Sequence, residues 1–199
     1  MQPVPQVNLG RPAVYQDVID APEHVVAEIV DGEFWTSPRP APRHARASSL
    51  LGADIVGPYD KGRDGPGGWW ILDEPELHLG NDVLVPDLAG WRRERMPRLP
   101  ETAFFPLAPD WLCEVLSPHT ARLDRTRKLR IYARHGVSHA WLIDPIARVV
   151  EVLRRHEGLW AIVATHGGPG VLQAEPFPAA AIDLELLWGE PTGAGTPIP

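Results

Sequence analysis

"WLCEVLSPHTARLDRTRKLRIYARHGVSHAWLID", Trp111 to Asp144, decides the fold. "WLCEVL" is a short apolar run of strand length. "TARLDRTRKLRIYARHG" carries its apolar residues at helical spacing, and Gly136 stands where a helix commonly closes. "HAWLID" is a second strand. Strand, helix and strand in succession predict a crossover unit with two parallel strands. Working outward, "HVVAEIV" and "EFW" flank Asp31-Gly32, a strong hairpin-turn dipeptide. "RVVEVLR" and "LWAIVAT" read as further strands, and "IDLELLW" as a final strand or helix. Upstream, "VYQDVIDAP" and "HARASSLLGADIV" read as helices, and "WWILDE" and "ELHL" as strands either side of Pro75. "DVLVPDLAGW" reads as a strand with Pro86 near its end. The class is mixed α and β, with a crossover unit flanked by antiparallel hairpins around one central sheet.

The 199 residues are 44% hydrophobic and 23% charged, an ordinary globular composition of a size that suits one domain. A single cysteine, Cys113, excludes an intrachain disulfide and a zinc–cysteine cluster, and fits a reducing compartment such as the cytoplasm. No apolar run approaches 18 residues, and the start has no apolar leader core, so neither a membrane span nor a signal peptide is read. The net charge of −7 argues against broad nucleic-acid binding, but the charge is uneven. Residues 92–134 hold 10 basic and 5 acidic side chains, whereas residues 1–91 hold 6 and 14. Two readings stay open for the basic segment: a solvated helix face, or a local surface for phosphodiesters.

Three residues stand out. Glu114 lies among apolar neighbours, and strand alternation puts it on one face with Leu112 and Leu116. A buried carboxylate must be paired or bound to a metal, so a salt bridge to an arginine and a functional role are both open. Asp87 follows Pro86 where a strand ends or lies at an edge, a position that often only caps a loop. Lys128 is one of two lysines among 17 arginines. It shares a helix face with Asp124 and Tyr132, either as a surface Asp–Lys pair or as a site lysine whose compact, tunable charge arginine could not supply. Two strand-borne carboxylates suit a hard divalent cation such as Mg²⁺. Glu28, beside the Asp31-Gly32 turn, and His44, after "SPRPAPR", are accessory candidates; His119 and Ser117 fit structural roles. GxSxG, a P-loop and HExxH are absent.

The run from Ala108 to Arg154 resembles the Uma family of restriction-endonuclease-like proteins, a widespread bacterial group within the PD-(D/E)xK nuclease superfamily. The resemblance rests on "EVLSPHT", on Asp124, Lys128 and Tyr132 at helical spacing, and on "GVSHAWLIDP". "VPDLAGW" and "AEIVDGEFWTSPRPAPRH" extend it upstream. It departs at His119, where serine is usual, and at Ala89-Gly90. The resemblance implies a restriction-endonuclease-like central mixed sheet flanked by helices. It makes Asp87 and Glu114 the metal-binding acids, with Mg²⁺ or Mn²⁺ as cofactor. The superfamily often carries its lysine two residues after the second acid, but that position is Leu116 here, so Lys128 on the next helix is the counterpart. Glu28, His44 and Tyr132 are accessory. The implied activity is endonucleolytic hydrolysis of DNA; the alternative is a catalytically inactive nuclease-fold binding or assembly module. A homodimer follows by analogy with double-strand cutters, which need two sites. The expected organisation is an N-terminal extension (1–13), the nuclease-like domain (14–188) and a flexible tail (189–199).

Overall fold

The computed structural model describes residues 6–189. The first elements are β1 (Gln6–Val7), α1 (Tyr15–Ile19), β2 (Val25–Val30), β3 (Glu33–Pro38) and α2 (Pro42–Ile55). A π turn (Val56–Asp60) leads to β4 (Trp69–Asp73), β5 (Leu77–Leu79), β6 (Asp82–Leu84), β7 (Leu88–Arg92) and β8 (Trp111–Val115). The crossover helix is α3 (Ala121–Leu123), a second π turn (Asp124–Lys128) and α4 (Leu129–Arg134) without a break. Then come β9 (His139–Asp144), β10 (Val149–His156), β11 (Leu159–Gly167), β12 (Val171–Ala174), β13 (Phe177–Asp183) and α5 (Leu184–Trp188). The tail expected at 189–199 falls, beyond Gly189, outside the described residues, as do residues 1–5 of the expected extension.

The restriction-endonuclease-like mixed sheet is the six-stranded one, in the order β11-β10-β9-β8-β7-β4. β8 and β9 pair in parallel at its centre, Trp111 opposite His139 and Val115 opposite Ile143. The neighbouring pairs are antiparallel. A second, five-stranded antiparallel sheet runs β1-β3-β2-β6-β5, and β12 and β13 form a separate hairpin. Two sequence readings are corrected here. "DVLVPDLAGW" is two strands, not one: β6 belongs to the five-stranded sheet and β7 to the six-stranded sheet. Pro86 has no N–H to give a ladder, so the chain changes sheets there. The "one central sheet" accordingly shares the fold with a second sheet. β12 and most of β13 carry too little periodicity to be read as strands.

The hairpin turn follows from its dipeptide. Asp31 and Gly32 have φ of 53° and 77°, the pair of left-handed conformations that a tight two-residue hairpin needs. α2 begins at Pro42, where the missing N–H has no helical partner to lose.

β8 shows the alternation its sequence requires. Trp111, Cys113 and Val115 face a core built with Ala47, Leu51 and Ile55 of α2 and Phe177 of β13. Leu112 faces the other core, with Leu129, Ile131 and Tyr132 of α4 and Leu77 and Leu84 of the five-stranded sheet. Glu114 lies on this second face, so the carboxylate points between the two sheets and the crossover helix. The tryptophans pack edge-on around Phe177, with Trp111 and Trp69 centroids 4.8 and 4.9 Å from its ring.

Gly90, one of the departures from the family pattern, is a packing necessity. A β-carbon there would lie 2.9 Å from Ile71 Cδ1, 3.2 Å from Trp69 and 3.3 Å from Trp111. Gly90→Ala is expected to cost about 1–3 kcal/mol by overpacking, read as a lowered urea midpoint at unchanged slope.

Candidate active site

Glu114 leaves the middle sheet strand into a space closed by β2 and by the second π turn. From β2 comes Glu28, and from the π turn come Asp124 and Lys128. All four side chains are buried, between 2% and 6% exposed. Lys128 Nζ stands 2.9 Å from Glu114 Oε1, 3.0 Å from Glu28 Oε1 and 3.4 Å from Asp124 Oδ1. The Tyr132 hydroxyl donates to Glu114 Oε1 at 2.7 Å, and the Val85 N–H donates to Glu28 Oε1 at 2.8 Å. Glu114 therefore pairs with lysine and tyrosine, not with one of the arginines that the sequence offered. π turns are rare and recur at functional sites; this one carries the lysine.

Three carboxylates surround one ammonium, and the protonation equilibria show the imbalance. Burial pushes Glu114 well above the usual carboxylate range, although Lys128 pulls it back. Burial likewise pushes Asp124 up to about 6, against Lys128 and a hydrogen bond with Thr120. Burial would draw the Lys128 ammonium down, but Glu114 and Glu28 outweigh it and hold the group well above its ordinary value. Lys128 is thus fixed as a cation, the form in which it can stabilise negative charge.

Asp87 sits where the chain passes from one sheet to the other. Its Oδ2 accepts the Val115 N–H at 2.7 Å, which ties it to the residue after Glu114. Its Oδ1 lies 3.2 Å from His44 Nε2, supplied by the first turn of α2. Burial lowers the proton affinity of His44, but Asp87 more than offsets this and leaves it raised.

These groups share one cavity of about 290 Å³, lined by Glu28, His44, Asp87, Glu114, Asp124 and Lys128. Its walls are Pro38-Arg39-Pro40 on one side and Ser117–Thr120 on the other. Asp87, Glu114 and Lys128 therefore converge, together with Glu28 and His44. Tyr132 braces Glu114 from outside the lining. His119, read as structural, also lines the cavity. In the sequence Asp124 stands out only as a partner for Lys128; its place on the face shared with Tyr132 is the signal that it is buried with them.

Glu28, Asp87, Glu114 and Asp124 bring their carboxylates to this cavity. Among the described residues no group of three His, Cys, Asp or Glu side chains is drawn together tightly enough to hold a metal ion by itself.

The basic segment is less available than its charge suggests. Arg125 pairs with Glu151, Arg127 with Glu33, Arg130 with Asp31 and Arg134 with Asp82. These four are committed to acids elsewhere in the fold, so the local phosphate surface read from the net charge is largely neutralised.

A family model described as "Uma2: Putative restriction endonuclease" matches residues 14–185. A solved structure described as "a putative nuclease belonging to DUF820 from Anabaena variabilis" superposes with a TM-score of 0.71 at 23% identity. The superposition covers 89% of this chain and 98% of that one, and at that identity it speaks for the fold. No curated protein matches the chain. The family match spans most of the sequence and contains every residue of the cavity described above: the chain belongs to the Uma2 family of restriction-endonuclease-like proteins.

Proposed function

We propose that the chain is a metal-dependent endonuclease that hydrolyses phosphodiester bonds in DNA. The observation that carries this reading is the meeting of Asp87, Glu114 and Lys128 in one cavity, from three separate segments of the chain.

The donor set fits a hard divalent cation. Glu28, Asp87, Glu114 and Asp124 all line the cavity that holds Lys128, so carboxylates outnumber the ammonium there. Asp87 and Glu114 would hold Mg²⁺ or Mn²⁺, with water and phosphate oxygens filling the remaining positions, as Mg²⁺ commonly requires. When bound, such an ion polarises a phosphate oxygen and makes water a competent nucleophile at neutral pH.

The chain's own groups do the rest. His44 and the Val115 N–H fix both oxygens of Asp87, so its orientation is set before substrate arrives. Tyr132 fixes one oxygen of Glu114. Lys128 would act through its fixed positive charge, and its longest contact, to Asp124 at 3.4 Å, is the one it could exchange for a water or a phosphoryl oxygen, the kind of preorganised stabilisation that lowers such barriers. Glu28 and Asp124 keep that ammonium charged and aimed.

A second reading, a non-catalytic nuclease-fold binding or assembly module, is favoured by one observation: Lys128 already has three carboxylate partners. Calorimetry with Mn²⁺ separates the two. The nuclease reading expects one saturable site that Asp87→Asn weakens by about tenfold or more, roughly 1.4 kcal/mol. Equal heats for both proteins would favour the module.

A further inference from the structure

The proposed chemistry leaves open which form of DNA reaches the cavity. Resting on the nuclease reading, we infer that the site takes its DNA as a single strand, through the mouth between Pro38-Arg39-Pro40 and Ser117–Thr120, with Arg39 receiving a phosphate at the rim.

Three observations point the same way. First, the reacting groups are recessed. Glu114 and Lys128 are each 3% exposed, and they lie inside a cavity of about 290 Å³. That is the size of a small-molecule pocket, not of a trough that seats a double helix. A duplex is stiff over roughly 150 base pairs, and its two strands cannot be parted without unstacking. A single strand bends at every backbone bond and can lead one phosphate inward.

Second, most of the cations on the helix that borders the site are already paired, which weakens its hold on a duplex. Affinity for duplex grows with the number of phosphates that lysines and arginines neutralise. The net charge here is −7. Arg125, Arg127, Arg130 and Arg134, on the helix that borders the site, each hold an acid at close range, Glu151, Glu33, Asp31 and Asp82, and three of those acids are less than a third exposed.

Third, the mouth has a cation that can be recruited. Arg39 lines the cavity, and its side chain is 57% exposed. Its ion pair with Glu74 is long, at 3.6 Å, and Glu74 is itself 41% exposed, so exchanging that partner for a phosphate costs little; the other terminal nitrogen donates to the Glu23 carbonyl at 3.0 Å and can stay there. Pro38 and Pro40 bracket it and stiffen the backbone that carries it.

The test is fluorescence anisotropy on the full chain, with Ca²⁺ replacing Mg²⁺ so that binding is read apart from cleavage. The probes are one labelled DNA oligonucleotide and the same oligonucleotide annealed to its complement as a blunt duplex. The single strand is expected to bind tighter by about tenfold or more, and Arg39→Ala to weaken it by roughly tenfold, the worth of one charge-assisted contact. Arg39 is exposed, so this variant folds. Duplex binding as tight as single-strand binding, or no binding of either probe, overturns the inference. So does single-strand binding that Arg39→Ala leaves unchanged. Preferential single-strand binding without cleavage in Mg²⁺ or Mn²⁺ would leave this inference standing and remove the nuclease reading.

Discussion

Lys128→Met lowers stability by about 3–5 kcal/mol, the usual cost of removing one partner from a buried ion pair. The methylene stem is replaced at similar length and packing, so the loss is electrostatic. Glu114, Glu28 and Asp124 would keep their burial and lose the one ammonium within 3.4 Å of each. The pH dependence follows from Asp124. Its folded-state value, about 6, is above the model-peptide value of 3.8, so the folded chain binds the proton more tightly than the unfolded one. A group of this kind favours folding below its unfolded value and progressively loses that contribution as pH rises through its folded value. Without Lys128 the upward shift grows, because the cation was lowering it. The deficit of the variant should therefore be smaller at pH 5 than at pH 7.5, read from urea midpoints at both. A pH-independent deficit, or one under about 0.5 kcal/mol as for ordinary surface changes, would mean that Lys128 is not the counter-charge of this cluster.

Glu114→Gln separates chemistry from folding. The amide keeps the shape of the side chain, and its oxygen can still accept from the Tyr132 hydroxyl. Lys128 retains Glu28 and Asp124. Burial already penalises the ionised Glu114, so removing its charge costs little, and stability should stay within about 1 kcal/mol of the parent. Activity should not survive. An amide oxygen is a poorer ligand for a hard cation than a carboxylate. The expected fall in DNA cleavage is on the order of 10³-fold, about 4 kcal/mol of transition-state stabilisation. A variant that folds normally and cuts normally would remove Glu114 from the mechanism.

Much of the architecture is legible in the chain because local signals and long-range packing agree. Asp31-Gly32 can make little but a tight turn, and "WLCEVL" alternates in the way the two cores demand. The crossover helix is equally plain, with Gly136 closing it at φ 84°. What the sequence hides is pairing between distant segments. Nothing local in "DVLVPDLAGW" says that β6 and β7 belong to different sheets, although Pro86 marks where they part. The site was legible where an awkward residue announced itself: a carboxylate in an apolar strand, an aspartate behind a proline, a lysine among arginines. Asp124 was hidden because an acid four residues before a lysine is usually a solvated helical pair. The committed arginines were hidden for a similar reason, since net charge per segment does not reveal which acids lie across the fold from it.

On our proposal Asp87, Glu114 and Lys128 form a metal-dependent nuclease site. Its most direct test is cleavage of a mixture of supercoiled plasmid and single-stranded circular DNA by the purified chain, with Mn²⁺ or Mg²⁺ and with chelator, beside Asp87→Ala. The expected result is metal-dependent cutting by the parent, abolished by chelator and reduced about 10³-fold in the variant. No cutting by the parent, or equal cutting by parent and Asp87→Ala, would contradict it.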